Sequence, residues 1–224
     1  MTFSLVARCA ETGMFGMVIS SSSPAVAARC SHARAGVGVV ASQNVTDPRL
    51  GPRGLDLMAA GATAPEAIEI LARTEHHPAY RQILAVDGAG NTGIHSGPNA
   101  LGTWAEAHGK DCAAGGNLLA NADVPLAMTQ AFGDASGTLG DRLIGALQAG
   151  LDAGGEAGPV HSAGLLMVRE VAWPVADLRI DWTEDCPISA LAAAWEVYKP
   201  QLDAYVTRAL DPTQAPSYGV PGDE

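Results

Sequence analysis

Residues 35–42, Ala35-Gly36-Val37-Gly38-Val39-Val40-Ala41-Ser42, run through small and β-branched side chains without a single charge. Successive side chains of a strand point to opposite faces. A strand that is apolar at every position therefore has to be covered on both sides, which places it between layers rather than at a surface. The run ends in Gln43-Asn44. Amides at the end of a buried strand must find partners or line a wet cleft, so Gln43 and Asn44 are candidates for structural hydrogen bonds and for substrate contact alike.

A covered strand needs a large core, and the chain has the means to build one. Of 224 residues, 47% are hydrophobic but only 5% are aromatic, and 26 are glycine. The core must then be Ala, Val, Leu and Ile, with backbones approaching closely. A domain of this size buries roughly 70% of the surface its unfolded chain exposes. The net charge of −11 repels phosphate backbones and anionic membranes, so neither nucleic acid nor a membrane is an expected partner. No apolar run reaches the ~18–20 residues of a membrane-spanning helix, and the N-terminus lacks a basic region followed by an apolar one, so a cytoplasmic location is expected. Cys9, Cys30, Cys112 and Cys186 are scattered, which reads as buried thiols. His76-His77 has no ligand partner at metal spacing, so no metal site is expected.

Thr2-Phe3-Ser4-Leu5 alternates polar and apolar residues at period two and predicts a first strand; Met14 to Ser20 predicts a second, making a hairpin with a short turn at Glu11-Thr12-Gly13. Ser20-Ser21-Ser22-Ser23-Pro24 reads either as a solvated loop or as a source of an orienting hydroxyl, with Ser21 or Ser22 the candidate. Two helices follow: one over Gly51–Ala60, where Arg53 and Asp56 are spaced to pair, and one opened by a Thr63 cap with Glu66 completing the box. Gln82 to Val86 and Thr92 to His95 flank a glycine-rich turn and predict another hairpin. Gly88-Ala89-Gly90 lies between strands and opens no helix, so it is not a dinucleotide-binding fingerprint. His95, near a strand end, is a candidate base or substrate contact, or an ordinary satisfied polar residue.

Gly115-Gly116-Asn117 allows close backbone approach and can present N–H groups to a developing oxyanion; a β-bulge explains the glycines equally well. Helices are expected from an Asp123 cap to Phe132 and over Leu139–Leu151, then strands over Ser162–Glu170 and around Leu178–Trp182. A last helix is expected over Ile188–Leu210, interrupted at Pro200. Residues 1–210 read as one domain and 211–224 as a flexible tail. The grouping of strands and helices implies an α+β fold, a four-layer αββα sandwich.

Thr2 carries a further implication. Were Met1 removed, as is usual before a small residue, Thr2 would hold a hydroxyl and a free α-amine on one residue, the minimal nucleophile-and-base pair for acyl transfer. An α-amine titrates near 8, so about a tenth to a fifth is neutral at pH 7 and able to take a proton. With Met1 in place, the Thr2 nitrogen is a peptide nitrogen and has no such capacity.

The segments Met1-Thr2-Phe3-Ser4 with Val6-Ala7-Arg8, Ala33-Arg34-Ala35-Gly36-Val37-Gly38 with Ala41-Ser42-Gln43, Gly51-Pro52-Arg53-Gly54-Leu55-Asp56-Leu57, Gly116-Asn117-Leu118-Leu119-Ala120 and Ser162-Ala163 together resemble the DUF1028 family, bacterial proteins grouped with the N-terminal nucleophile (Ntn) hydrolases. The resemblance spans roughly residues 1–170. It implies the Ntn-type sandwich and an amidohydrolase with Thr2 as nucleophile. The lysine that follows the nucleophile strand in proteasome-like members has no counterpart in Ala35–Ser42. On this reading Asn117 and Gly116 stabilise the oxyanion, while Ser21, Gln43, Asn44 and His95 contact substrate. The substrate is a small or short amide, no cofactor is required, and self-association as a homodimer or larger homo-oligomer is expected. The alternative is a catalytically silent binding or scaffold protein that keeps the fold and retains Met1.

Overall fold

Side-chain alternation along each strand decides the layering. In strand β1 (Thr2–Arg8), Phe3, Leu5 and Ala7 point one way and Thr2, Ser4 and Val6 the other, and both faces are buried. The computed structural model describes residues 1–222. After β1 come strand β2 (Phe15–Ser21), helix α1 (Val26–Cys30), strands β3 (Ser31–Arg34) and β4 (Gly38–Asn44), and helices α2 (Leu50–Ala59) and α3 (Ala64–Thr74). Strands β5 (Arg81–Asp87), β6 (Thr92–Ser96), β7 (Ala105–Gly109) and β8 (Cys112–Asn117) precede helices α4 (Val124–Asp134) and α5 (Leu139–Asp152). Strands β9 (Ser162–Val168) and β10 (Ala176–Ile180) and helices α6 (Pro187–Tyr198) and α7 (Leu202–Leu210) complete the order.

Among the described residues the strands form two antiparallel sheets, ordered β10-β9-β2-β1-β8-β7 and β3-β4-β5-β6. Phe3, Leu5, Leu165 and Met167 meet Met128, Phe132, Leu143, Leu147, Leu191 and Trp195 of α4–α6, forming one outer core. Val6, Met17, Ile19 and Leu166 meet Val39, Ala41, Leu84 and Val86 between the sheets. Val40, Ile83 and Ala85 meet Leu50, Leu55, Ile68 and Leu71 of α2 and α3, forming the other outer core. The molecule is thus an α+β, four-layer αββα sandwich. The uncharged run is a covered strand only from Gly38, where Val39 and Ala41 face the other sheet and Val40 faces the helices; Ala35, Gly36 and Val37 instead make the turn from β3, with Gly36 exposed at φ 70°.

Both hairpins form, and Thr63 with Glu66 makes the reciprocal capping box. At Pro200 the last helix breaks as expected: α6 stops at Tyr198, a 3-10 turn spans Lys199–Gln201, and α7 resumes. Several expectations need correction. The second strand runs through Ser20 as expected, but Ser21 also lies in it rather than in a loop, because β9 pairs with β2 through Ser21↔Ser162 and buries both serines. Arg53 and Asp56 do not pair, since each finds a partner on another element: Thr74 for Arg53 at 2.9 Å and Arg34 for Asp56 at 2.8 Å. Asp123 makes no side-chain cap, because its backbone is already helical (φ −81°, ψ −14°) where a capping residue is extended. Gly115 and Gly116 make no bulge and pair one-for-one with Ser4 and Phe3.

Of the proposed tail, residues 223 and 224 lie outside the described residues. Before them, Arg208 donates to the carbonyls of Pro216 and Ser217 and sits over the Tyr218 ring. No helix among the described residues is long and apolar enough to cross a membrane.

Candidate functional site

The space between the sheets is apolar at one end and polar at the other. The polar end gathers the start of β1, the ends of β2 and β8, the start of β9, and the facing end of β4 with the start of β5. Antiparallel pairing brings these termini together, so Thr2 sits opposite Asn117 and Ser21 opposite Ser162.

A chain of side-chain hydrogen bonds crosses the interior. Ser4 Oγ donates to Gln43 Oε1 at 2.7 Å. Gln43 Nε2 donates to Gln82 Oε1 at 2.9 Å and to the Gly115 carbonyl at 3.1 Å. Gln82 Nε2 donates to Ser96 Oγ at 3.0 Å and to the Gly116 carbonyl at 3.2 Å, and Asn117 Nδ2 donates to Gln82 Oε1 at 3.2 Å. This donor order fixes the orientation of each amide. It leaves Asn117 Oδ1, in a fully buried side chain, without a hydrogen-bond partner among the described residues. An orphaned acceptor at this depth costs about 1–3 kcal/mol unless something brings it a donor.

Beyond Asn117 lie the hydroxyls. Thr2 Oγ1 is 3.4 Å from Ser21 Oγ, and both donate to the carbonyl oxygen of Met1. Ser21 Oγ also accepts the Ser23 amide at 3.0 Å. The segment after α5 returns to this end through a bridge between Glu156 and Leu119, just past Asn117. That bridge delivers Glu156, 5% exposed, to the site. The Ser22 amide lies 3.2 Å from each of its carboxylate oxygens. Burial raises the Glu156 carboxyl to about 7, against the pull of the Met1 ammonium, the Ser22 hydrogen bonds and His161. His161 donates its backbone N–H to the Ser21 carbonyl at 2.8 Å, and its ring stacks on Trp182 with centroids 4.4 Å apart.

The structure therefore brings Thr2, Ser21 and Asn117 together. Gly116 is beside them but inside the sheet, paired with Phe3 on one edge and Ala105 on the other. Its lack of a side chain matters for packing, since a Cβ there would lie 2.6 Å from Leu119 Cδ2. Gln43 is buried with both ends of its amide engaged, behind the hydroxyls rather than open to a ligand. Asn44 adopts φ 68° and clamps two loops, donating to the Tyr80 carbonyl at 2.6 Å and accepting the Leu101 amide at 3.2 Å. His95 is not at this site. It pairs with Ile83, whose side chain packs on the helical layer, and its Nε2 donates to the Pro78 carbonyl at 2.9 Å.

Glu156, Gln82 and His161 escape a reading of the sequence. The one available signal for Glu156 was a lone charge inside the glycine-rich stretch Gly154-Gly155-Glu156-Ala157-Gly158, which looks like a solvated loop.

Residues 2–191 match the model of the family described as a family of unknown function, DUF1028. The crystal structure of a DUF1028 protein from Silicibacter pomeroyi superposes with a TM-score of 0.83 at 29% identity, covering 88% of this chain and 89% of that one. Anbu, the ancestral beta-subunit from Yersinia bercovieri, aligns over 91% of this chain and 97% of its own with 10% identity and a TM-score of 0.37, a likeness too slight to compare folds. Among curated proteins none matches. With its family model matched over most of its length, the chain belongs to the DUF1028 family.

Proposed function

We propose that this protein is an Ntn-type amidohydrolase that acts on small or short amides through Thr2 once Met1 has been removed. The observation that carries this reading is the convergence of the Thr2 and Ser21 hydroxyls on one carbonyl oxygen, that of Met1, beside the buried carboxyl of Glu156. In the processed chain, Thr2 Oγ1 attacks the substrate carbonyl carbon while its hydroxyl proton passes to the α-amine of the same residue. The oxyanion that forms receives the Ser21 hydroxyl, which already donates to a carbonyl oxygen here, and the Asn117 N–H that Gln82 does not use. The Thr2 ammonium returns its proton to the departing nitrogen as the C–N bond breaks. Water then hydrolyses the ester and restores the Thr2 hydroxyl. Gly116 serves by letting β8 pack closely against Thr2, not by offering a free N–H.

Thr2→Ala is expected to reduce turnover of a panel of small amides to background, with Thr2→Ser retaining part of it; unchanged turnover in the alanine variant would sink the assignment. A second reading follows from the Met1-bearing chain, in which Thr2 and Ser21 are already committed to the Met1 carbonyl. If that form persists, the protein is a binding module. Intact mass of protein expressed from its own start codon separates the two, since the enzyme lacks one methionine and the binding module keeps it.

A further inference from the structure

Met1 occupies the site as a ligand would. It is an α-amino acyl group whose carbonyl oxygen is held by Ser21 Oγ. Its side chain ends beside Gly158, where a Cβ would be 3.9 Å from Met1 Cε. Glu156, two residues earlier on the same segment, is nearly sealed from solvent and takes its hydrogen bonds from Ser22, backbone amide and side chain. No lysine or arginine forms an ion pair with Glu156 among the described residues. A buried carboxylate held only by neutral groups of one serine is poorly compensated, and a cation is the group that compensates it best. The Met1 ammonium acts on it in this sense, lying one residue out from the Thr2 nitrogen. Opposite, Asn117 Oδ1 waits for a donor.

We infer that the site selects α-amino acyl amides. The substrate's ammonium faces Glu156, its carbonyl oxygen sits at Ser21, an unbranched apolar side chain lies over Gly158, and an amide N–H reaches Asn117 Oδ1. This rests on the amidohydrolase reading but makes a separate demand, for a free amine next to the scissile carbonyl. A neutral acyl group brings no cation to the Glu156 carboxyl.

Binding tests recognition apart from chemistry. A Thr2→Ala chain beginning at residue 2, released by cleavage of an N-terminal fusion, is titrated calorimetrically with L-methioninamide and with N-acetyl-L-methioninamide. The free amine is expected to bind about tenfold or more tighter. Glu156→Gln, which keeps an acceptor for the Ser22 amide, should erase that preference with the melting temperature showing the fold intact. Gly158→Val should weaken L-methioninamide and spare glycinamide. Equal binding of the two methionine amides, no binding of either, or a preference that survives Glu156→Gln overturns the inference. The amidohydrolase reading fails differently: the chain beginning at Thr2 would leave L-methioninamide unhydrolysed although the alanine variant binds it.

Discussion

At the scale of single residues, Glu156 has the largest consequence. Burial lifts its carboxyl from 4.5 to about 7, while the Met1 ammonium, Ser22 and His161 hold it down from going further. A carboxyl raised on folding binds more protons in the folded chain than in the unfolded one. Its contribution is fully present below about 4.5 and is lost as pH rises through about 7. Relative to Glu156→Gln, the wild-type protein is therefore expected to lose stability between pH 5 and pH 8 in urea titrations; parallel curves for the two proteins would show that Glu156 is not held this way. Asn117 supplies the contrasting lesson. Its place after paired glycines marks it in the sequence, yet its buried, unpartnered oxygen depends on Gln82 taking its N–H from the other sheet.

At the scale of elements, α5 and α6 are joined by one carboxylate. Asp141 completes the Thr138 capping box, accepts Trp195 Nε1 at 2.9 Å and pairs with Lys199 at 2.8 Å. Burial works to raise its pKa, but the Lys199, Trp195 and Thr138 hydrogen bonds outweigh it and hold the carboxyl at about 2. Because the folded value lies below the 3.8 of the free side chain, this support is present above 3.8 and lost as pH falls toward 2. Asp141→Ala is expected to cost about 2–3 kcal/mol at neutral pH, from the lost cap and the stranded Trp195 donor, measured by denaturant unfolding. A loss below half a kcal/mol would mean that apolar packing alone docks α6. The small elements are the ones a sequence reading passes over. Strand β7 is Ala-Glu-Ala-His-Gly at a sheet edge and α1 is a five-residue helix. Helix α1 lies on β9 because Gly164 lets it approach: a Cβ there would stand 2.4 Å from that of Ala27.

At the scale of the whole molecule, the two sheets are held by an apolar core at one end and by the Ser4–Gln43–Gln82–Asn117 network at the other. Gln82 is the hub, with donors from both sheets on its oxygen and acceptors on its nitrogen. Gln82→Leu leaves the Asn117 N–H and one Gln43 N–H bond unmade, and should cost about 2–4 kcal/mol by urea unfolding. Amide turnover should fall further than stability explains, because Asn117 is then free to turn. Wild-type turnover in a destabilised Gln82→Leu protein would separate the network from the chemistry.

What the sequence determined by itself was what local chemistry enforces. An uncharged β run must be covered on both faces, Thr63 with Glu66 must open a helix, and glycine-rich turns between alternating segments must make hairpins; each needs only neighbours in the chain. That much sufficed for a layered αββα sandwich. The tertiary structure alone decided which polar residues meet. Glu156 reaches Ser22 across 134 residues, and Gln82 reaches Asn117 across 35. It also sent His95 to the helical face and turned Asn44 into a loop clamp, because strand register assigns each side chain a face and a one-residue slip would reverse every assignment. Register is set by pairing between distant strands, and no window of the sequence contains it.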